Sequence, residues 1–123
     1  MVGYATLGTS DLERASAYYD ALLAELGARR IMNLDRIIIW SNDPRAGMLG
    51  VCLPHNGQPA VAGNGVMVGL NAGSSAAVDR VHARALALGG SDEGAPGDRG
   101  NGFYAGYFRD PDGNKLVAYH LAP

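Results

Sequence analysis

The side chains able to carry acid–base or metal chemistry are few and scattered in this sequence. The histidines are His55, His82 and His120, the single cysteine is Cys52, and the tyrosines include Tyr4, Tyr107 and Tyr119. Cys52 lies in an apolar run with no partner base in the sequence, and reads as an inert core thiol. His82 falls mid-helix beside Val81 and reads as a solvated helix residue; His55 follows Pro54 in a loop. His120, three residues past Val117, falls on the opposite face of its strand. Asp110, Asp112 and Gly113 build the turn DPDGN, and Asp11 helps start a helix. The glycine runs at 63–65 and 97–102 lack the strand-then-helix setting of a phosphate loop. Asn71 and Arg30 are free to meet a polar ligand group, with no spacing to single them out. A tyrosine acting alone as general acid is the only chemistry left, and it lacks a partner.

The elements that must position these residues come from periodicity. SDLERASAYYDALLAELG puts Leu12, Ala15, Tyr19, Leu22, Leu23 and Leu26 on one apolar stripe. Ser10 and Glu13 have capping-box spacing and Gly27 suits a left-handed helix end, so a helix over 11–26 is expected. YATLG precedes it; ARRIMNL, RIIIWS and MLGVCLP follow as strands. Pro54–Asn64 reads as a link between halves. The pattern then restarts: GVMVGLN is a strand and Ser74 or Ser75 opens a helix. Val78, Val81, Ala85 and Leu88 form its inner stripe, and Gly89–Gly90 close it. SDEGAPGDRGNG carries so many breakers that at most a short edge strand plus a loop is expected. FYAGYFR, the DPDGN turn and KLVAYHL make the last hairpin. The order is βαβββ twice. Tyr4 to Met67 is an offset of 67 − 4 = 63, Gly27 to Gly89 is 89 − 27 = 62, and Asp43 to Asp110 is 110 − 43 = 67, consistent with a duplication.

The bulk properties narrow the function classes. A chain of 123 residues suits one domain, with a first module at about 1–54, a linker at about 55–64 and a second module at about 65–123. A net charge of −2 offers no basic face for nucleic acid. One cysteine excludes an internal disulfide. Neither a leader nor an apolar run long enough to span a membrane is visible, so a cytoplasmic protein with no membrane partner is expected.

ATLGTSDLERASAYYDALLAELG and GYFRDPDGNKL resemble the vicinal-oxygen-chelate superfamily of glyoxalase I, bleomycin-resistance proteins and extradiol dioxygenases. The resemblance covers nearly the whole chain. It implies an α+β fold of two βαβββ modules in one domain, with mixed curved sheets around a cleft and helices on the outer face. In the enzymes of the family it also implies a divalent metal held from the first and last strands of the modules. The metal-binding relatives carry histidines where this chain has Tyr4 and Met67, and a glutamate where it has Val117. Zinc, iron, manganese and nickel take imidazole and carboxylate ligands. Valine has no donor atom, a thioether matches these ions poorly, and a phenol must first lose its proton. The segments VGYAT, GVMVG and KLVAY contain no His, Asp, Glu or Cys within two residues of these places. No metal and no other cofactor is expected.

Strand alternation then places Thr6, Gly69, Lys115 and Tyr119 on the same faces as Tyr4, Met67 and Val117. Ala5, Leu7, Val66, Val68, Leu70, Leu116 and Ala118 go to the helix side. Tyr107 resembles the cleft tyrosine of extradiol dioxygenases, and Trp40, with Met32 nearby, is expected as a cavity wall. The expected ligand surface is Tyr4, Thr6, Trp40, Met67, Tyr107, Val117 and Tyr119, holding an aromatic or amphipathic small organic molecule. The alternative packing is a cluster that fills its own space and leaves no cavity. The functional reading is a metal-free small-molecule-binding protein of the glyoxalase/bleomycin-resistance type, a homodimer by analogy. The alternative is a glyoxalase-like lyase or dioxygenase-type enzyme with a non-standard metal site or a cofactor-free tyrosine acid/base.

Overall fold

The computed structural model describes all 123 residues. The chain divides into two compact units, Met1–Ala62 and Gly63–Pro123. The first holds β1 (Tyr4–Gly8), α1 (Leu12–Ala24), β2 (Arg29–Asn33), β3 (Ile37–Asp43) and β4 (Gly47–Cys52). The second holds β5 (Val68–Asn71), α2 (Ser75–Ala87), β6 (Ser91–Asp98), β7 (Phe103–Arg109) and β8 (Lys115–Leu121). Each unit is a βαβββ module with an open four-stranded mixed sheet, ordered β1-β4-β3-β2 and β5-β8-β7-β6. The outer pair is parallel in each, β1 with β4 and β5 with β8. An α+β architecture follows, as the element order implies. No helix is long and apolar enough to cross a membrane.

One face of each sheet is closed by its helix. In the first module Ala15, Tyr19, Leu22 and Leu23 of α1 meet the layer of Leu7, Ile38, Trp40, Leu49 and Val51. In the second, Val78, Val81, His82 and Ala85 of α2 cover Phe108, Leu116 and Ala118. Both helix ends match the expected chemistry. Gly27 and Gly89 adopt φ of 70° and 108°, the left-handed region where a side chain would be strained.

Several sequence expectations are corrected. The N-cap of α1 is Asp11, whose Oδ1 accepts from the Arg14 backbone N–H at 3.0 Å. Ser10 instead accepts the Ala60 backbone N–H at 2.8 Å, a contact fifty residues away that local spacing cannot reveal. The segment SDEGAPGD forms a full edge strand, β6, where a short strand and loop were expected. It accommodates glycine and Pro96 through two register shifts against β7, as edge strands can. Met67 and Val66 precede β5 and are exposed, so Val66 is not part of the helix-side core.

His82 is also reversed. It is 5% exposed, not solvated, because the inner stripe of α2 is wider than one residue per turn. Its Nε2 lies 3.0 Å from Asp92 Oδ1 and 3.1 Å from the Tyr107 carbonyl oxygen. Both partners are acceptors, so Nε2 carries the proton. Its ring meets Phe108 edge-on at 6.3 Å between centroids.

Candidate functional site

The face of each sheet turned away from its helix carries the side chains that could meet a ligand. In the first module, register places Thr6, Gly50, Ile39 and Met32 in one row across the four strands. A Cβ at Gly50 would come within 3.2 Å of Thr6 Cγ2 and 3.4 Å of Ile39 Cγ1, so the neighbours close over the missing side chain. Tyr4 pairs with Met48 in the adjoining row and is 58% exposed.

The corresponding row of the second module is Gly69, Val117, Tyr107 and Gly94. Val117 is only 3% exposed, a floor between larger neighbours. Tyr119 lies one step along β8 on the same face, and Phe103 meets its ring edge-on at 5.6 Å. A Cβ at Gly69 would lie 3.2 Å from Tyr119 Cε1. Glycine thus leaves room for the aromatic ring on the neighbouring strand.

The hairpin that presents Tyr107 and Val117 is fixed by its turn. Asp110 Oδ1 accepts the Asp112 and Asn114 backbone N–H groups, each at 2.9 Å, and Asn114 Nδ2 donates to Asp110 Oδ2 at 3.0 Å. Asp110 is buried in this role, as expected of a turn builder. Arg109 donates to Glu93 and, at 2.8 Å, to the Gly113 carbonyl, joining the turn to the edge strand.

Trp40 does not line this face. It is 1% exposed and packs under α1, with its ring 5.8 Å from Tyr19 and its indole N–H donating to Asp20 Oδ1 at 2.9 Å. Strand alternation is the cause: Ile39 pairs with Gly50 on the helix-free face, so Trp40, the next residue, pairs with Leu49 and turns to the helix. Arg30 is likewise committed, with Nε and Nη2 on the Asp20 carboxylate at 2.8 and 2.7 Å. That guanidinium holds the Asp20 carboxyl below its usual range, against the opposing effect of burial; the indole adds to the lowering. Asn71 turns back to accept the Gly73 backbone N–H at 3.1 Å.

Sequence reasoning missed Arg99. Its guanidinium carbon stands 5.5 Å from the Tyr107 ring centroid, and Lys115 Nζ stands 5.5 Å from the same centroid. The available signal was the spacing of Gly94 and Gly97, which strips side chains from β6 beside Tyr107. A separate open depression of about 330 Å³ is lined by Ser10, Leu53, Pro54, Gly57, Gln58 and Pro59. None of its lining residues titrates near neutral pH and none belongs to the expected ligand surface.

The family's divalent metal can be tested against these donors. Tyr4 and Met67 are exposed, Met67 lies outside β5 at 46% exposure, and Val117 has no donor. Nowhere do three or more His, Cys, Asp or Glu side chains gather in a way that would hold an ion. The residues present do not fit the family's metal.

Comparison with known proteins supplies the family. The model of the Glyoxalase/Bleomycin resistance protein/Dioxygenase superfamily matches residues 2–118. A glyoxalase/bleomycin resistance protein from Albidiferax ferrireducens is similar over 100% of this chain and 99% of its own, at 41% identity and a TM-score of 0.89. A lactoylglutathione lyase from Agrobacterium tumefaciens shares the fold at 24% identity and a TM-score of 0.71, covering 98% and 92% of the two chains. A glyoxalase-related enzyme from Fulvimarina pelagi does so at 23% identity and a TM-score of 0.76, covering 98% and 87%. No curated protein matches in sequence. By family model, sequence identity and fold together, the chain belongs to the glyoxalase/bleomycin resistance protein/dioxygenase superfamily.

Proposed function

We propose that this protein binds a small organic molecule without a metal, using the helix-free sheet faces, and that it is a holder of that molecule and not a lyase or dioxygenase. One observation carries the reading: nowhere do three or more His, Cys, Asp or Glu side chains gather to hold an ion, and Tyr4, Met67 and Val117 stand where the resemblance places the family's metal ligands. In the second unit Met67, Tyr107, Val117 and Tyr119 supply a ligand surface, with Val117 as floor and the rings as walls; in the first, Tyr4 and Thr6 lie on the helix-free face. Rings of this kind bind planar or amphipathic molecules through apolar burial with sparse polar orientation. Trp40 is withdrawn from this set by its place under α1. The working form is a cytoplasmic homodimer, by the general tendency of small soluble domains to pair across a two-fold axis.

The reading is tested by metal content and by ligand-induced stabilisation. Protein purified without chelator is expected to contain no stoichiometric metal, and chelation is expected to leave its melting temperature unchanged. Equimolar zinc, iron, manganese or nickel would overturn the proposal. A thermal-shift panel of aromatic metabolites and antibiotics is expected to include stabilising compounds, by about 2.7 kcal/mol at a hundredfold excess over the dissociation constant.

A further inference from the structure

The charges around Tyr107 narrow the ligand class. Arg99 and Lys115 each stand 5.5 Å from the Tyr107 ring centroid, one reaching from beyond β6 and the other from the start of β8. Three other arginines of the molecule meet carboxylates: Arg30 meets Asp20, Arg45 meets Asp43 and Arg109 meets Glu93. Arg99 and Lys115 meet none. The carboxylate next to Arg99 in sequence, Asp98, pairs in register with Tyr104 on the helix side, and its Oδ1 accepts the Gly100 backbone N–H at 2.8 Å. Two uncompensated cations on one ring, in a chain of net charge −2, are a local reversal of the protein's charge.

The backbone is arranged to keep Arg99 there. Arg99 Nη2 donates to the Ala95 carbonyl at 2.6 Å, which ties down one corner of the guanidinium and leaves the rest of the fork unengaged. Beneath it β6 offers glycines. A Cβ at Gly94 would lie 3.5 Å from Arg99 Nη2 and 3.3 Å from Tyr107 Cδ2, and one at Gly97 would lie 3.8 Å from Arg99 Nη1. At these two positions no side chain comes between the guanidinium and the phenol ring.

We infer that the ligand is a planar organic acid, its ring laid on the Tyr107–Tyr119 face and its anionic group received by Arg99 and Lys115. This rests on the holder reading above and adds the charge of the ligand. A guanidinium fork and an ammonium point charge suit a carboxylate, the first by paired N–H donors and the second by attraction alone.

The test is calorimetric titration of the intact chain with naphthoate and with its neutral isostere naphthamide. Naphthoate is expected to bind about tenfold more tightly than the amide, and added salt should weaken the acid alone. Arg99→Gln and Lys115→Gln should each remove most of that preference while leaving the amide's affinity in place. Both residues are at least partly exposed, and a cooperative thermal transition verifies that the variants fold. Lys115→Arg should restore the preference. Equal binding of acid and amide, with both lost in Tyr107→Ala, would overturn the anionic ligand and leave the holder reading standing. An acid preference that survives the double glutamine variant would overturn it as well. If neither probe binds and no compound of the thermal-shift panel stabilises the domain, both readings fall together.

Discussion

In the first module a helix carboxylate, Asp20, is met by a strand cation, Arg30, and by the indole of Trp40. In the second, a helix imidazole, His82, is met by a strand carboxylate, Asp92, over the ring of Phe108. The places correspond. Asp20 and His82 are 62 residues apart, as are Arg30 and Asp92, and both edge strands shift register there, between Arg30 and Met32 and between Asp92 and Gly94. One scaffold thus tolerates opposite charge arrangements at one clamp, because what it requires is a neutralised polar contact between helix and edge strand. The helix-free faces diverge further. Thr6, Gly50, Ile39 and Met32 in one module stand where Gly69, Val117, Tyr107 and Gly94 stand in the other. Only the second pairs an aromatic ring with bare backbone and cations. The comparison assigns packing to the helix side and leaves the Tyr107 face as the place of the proposed recognition.

The most damaging way to break this comparison is to empty the aromatic seat under each helix. Trp40→Ala and Phe108→Ala should each cost about 3–5 kcal/mol in urea unfolding, since both rings are fully buried against their helices. If Trp40 lay on the ligand side, its loss would instead cost little stability and change binding. Tyr107→Ala supplies the contrast: a modest cost, about 1 kcal/mol, with loss of naphthoate binding.

Glycines sharpen the same distinction at a smaller scale. A Cβ at Gly106, on the helix side, would come within 2.9 Å of Pro96 Cγ and 3.1 Å of His82 Cδ2. Both neighbours are rings, and His82 is held by its hydrogen bonds, so Gly106→Ala should cost about 1–3 kcal/mol. At Gly69 the closest obstacle is the edge of the half-exposed Tyr119 ring. Gly69→Ala should cost under about 1 kcal/mol, while weakening any ligand that lies against Tyr119. Equal losses at the two glycines would contradict the division of roles.

Most of the architecture was legible because it is written in local signals. The apolar stripes, the left-handed glycines and the DPDGN turn each act within a few residues, and duplication repeated the pattern. What could not be read depends on pairing. Trp40 follows Ile39 in a run of β-prone residues, and only the pairing of Ile39 with Gly50 and of Trp40 with Leu49 tells which of the two turns to the helix. His82 has an apolar neighbour in Val81 and helical spacing from Val78 and Ala85, so its burial was within reach. Its partner, Asp92, lies on another element and gives no sequence sign. Arg99 was missed for a like reason: Gly94 and Gly97 signal bare backbone, but only the pairing of β6 with β7 puts that backbone beside Tyr107. Strand alternation thus made Lys115, Val117 and Tyr119 legible as sharing one face, and left Arg99 out of it.

The two clamps should separate finally in their titration, where the effects are smallest. Asp20 and Asp92 are both held below the usual carboxylate range, but by different first causes: the Arg30 side chain for Asp20, the Gly94 backbone N–H for Asp92, with His82 contributing less. A carboxyl whose folded value is depressed adds stability at pH values above its unfolded value, near pH 4, and that stability fades as pH falls through the lower folded value. Acidification below about pH 4 should therefore destabilise the protein, and Asp20→Asn should flatten part of that slope. Because Asp20 and Arg30 are both substantially exposed, solvent screening limits the contribution at neutral pH to no more than about 1 kcal/mol. Carbon NMR titration of the carboxyl groups tells the causes apart. Arg30→Gln should raise the Asp20 midpoint most of the way to its ordinary range, whereas His82→Gln should leave most of the Asp92 depression in place. If His82→Gln released Asp92 as fully as Arg30→Gln releases Asp20, the second clamp would be an ion pair like the first. The contrast between a side-chain partner and a backbone partner would then be lost.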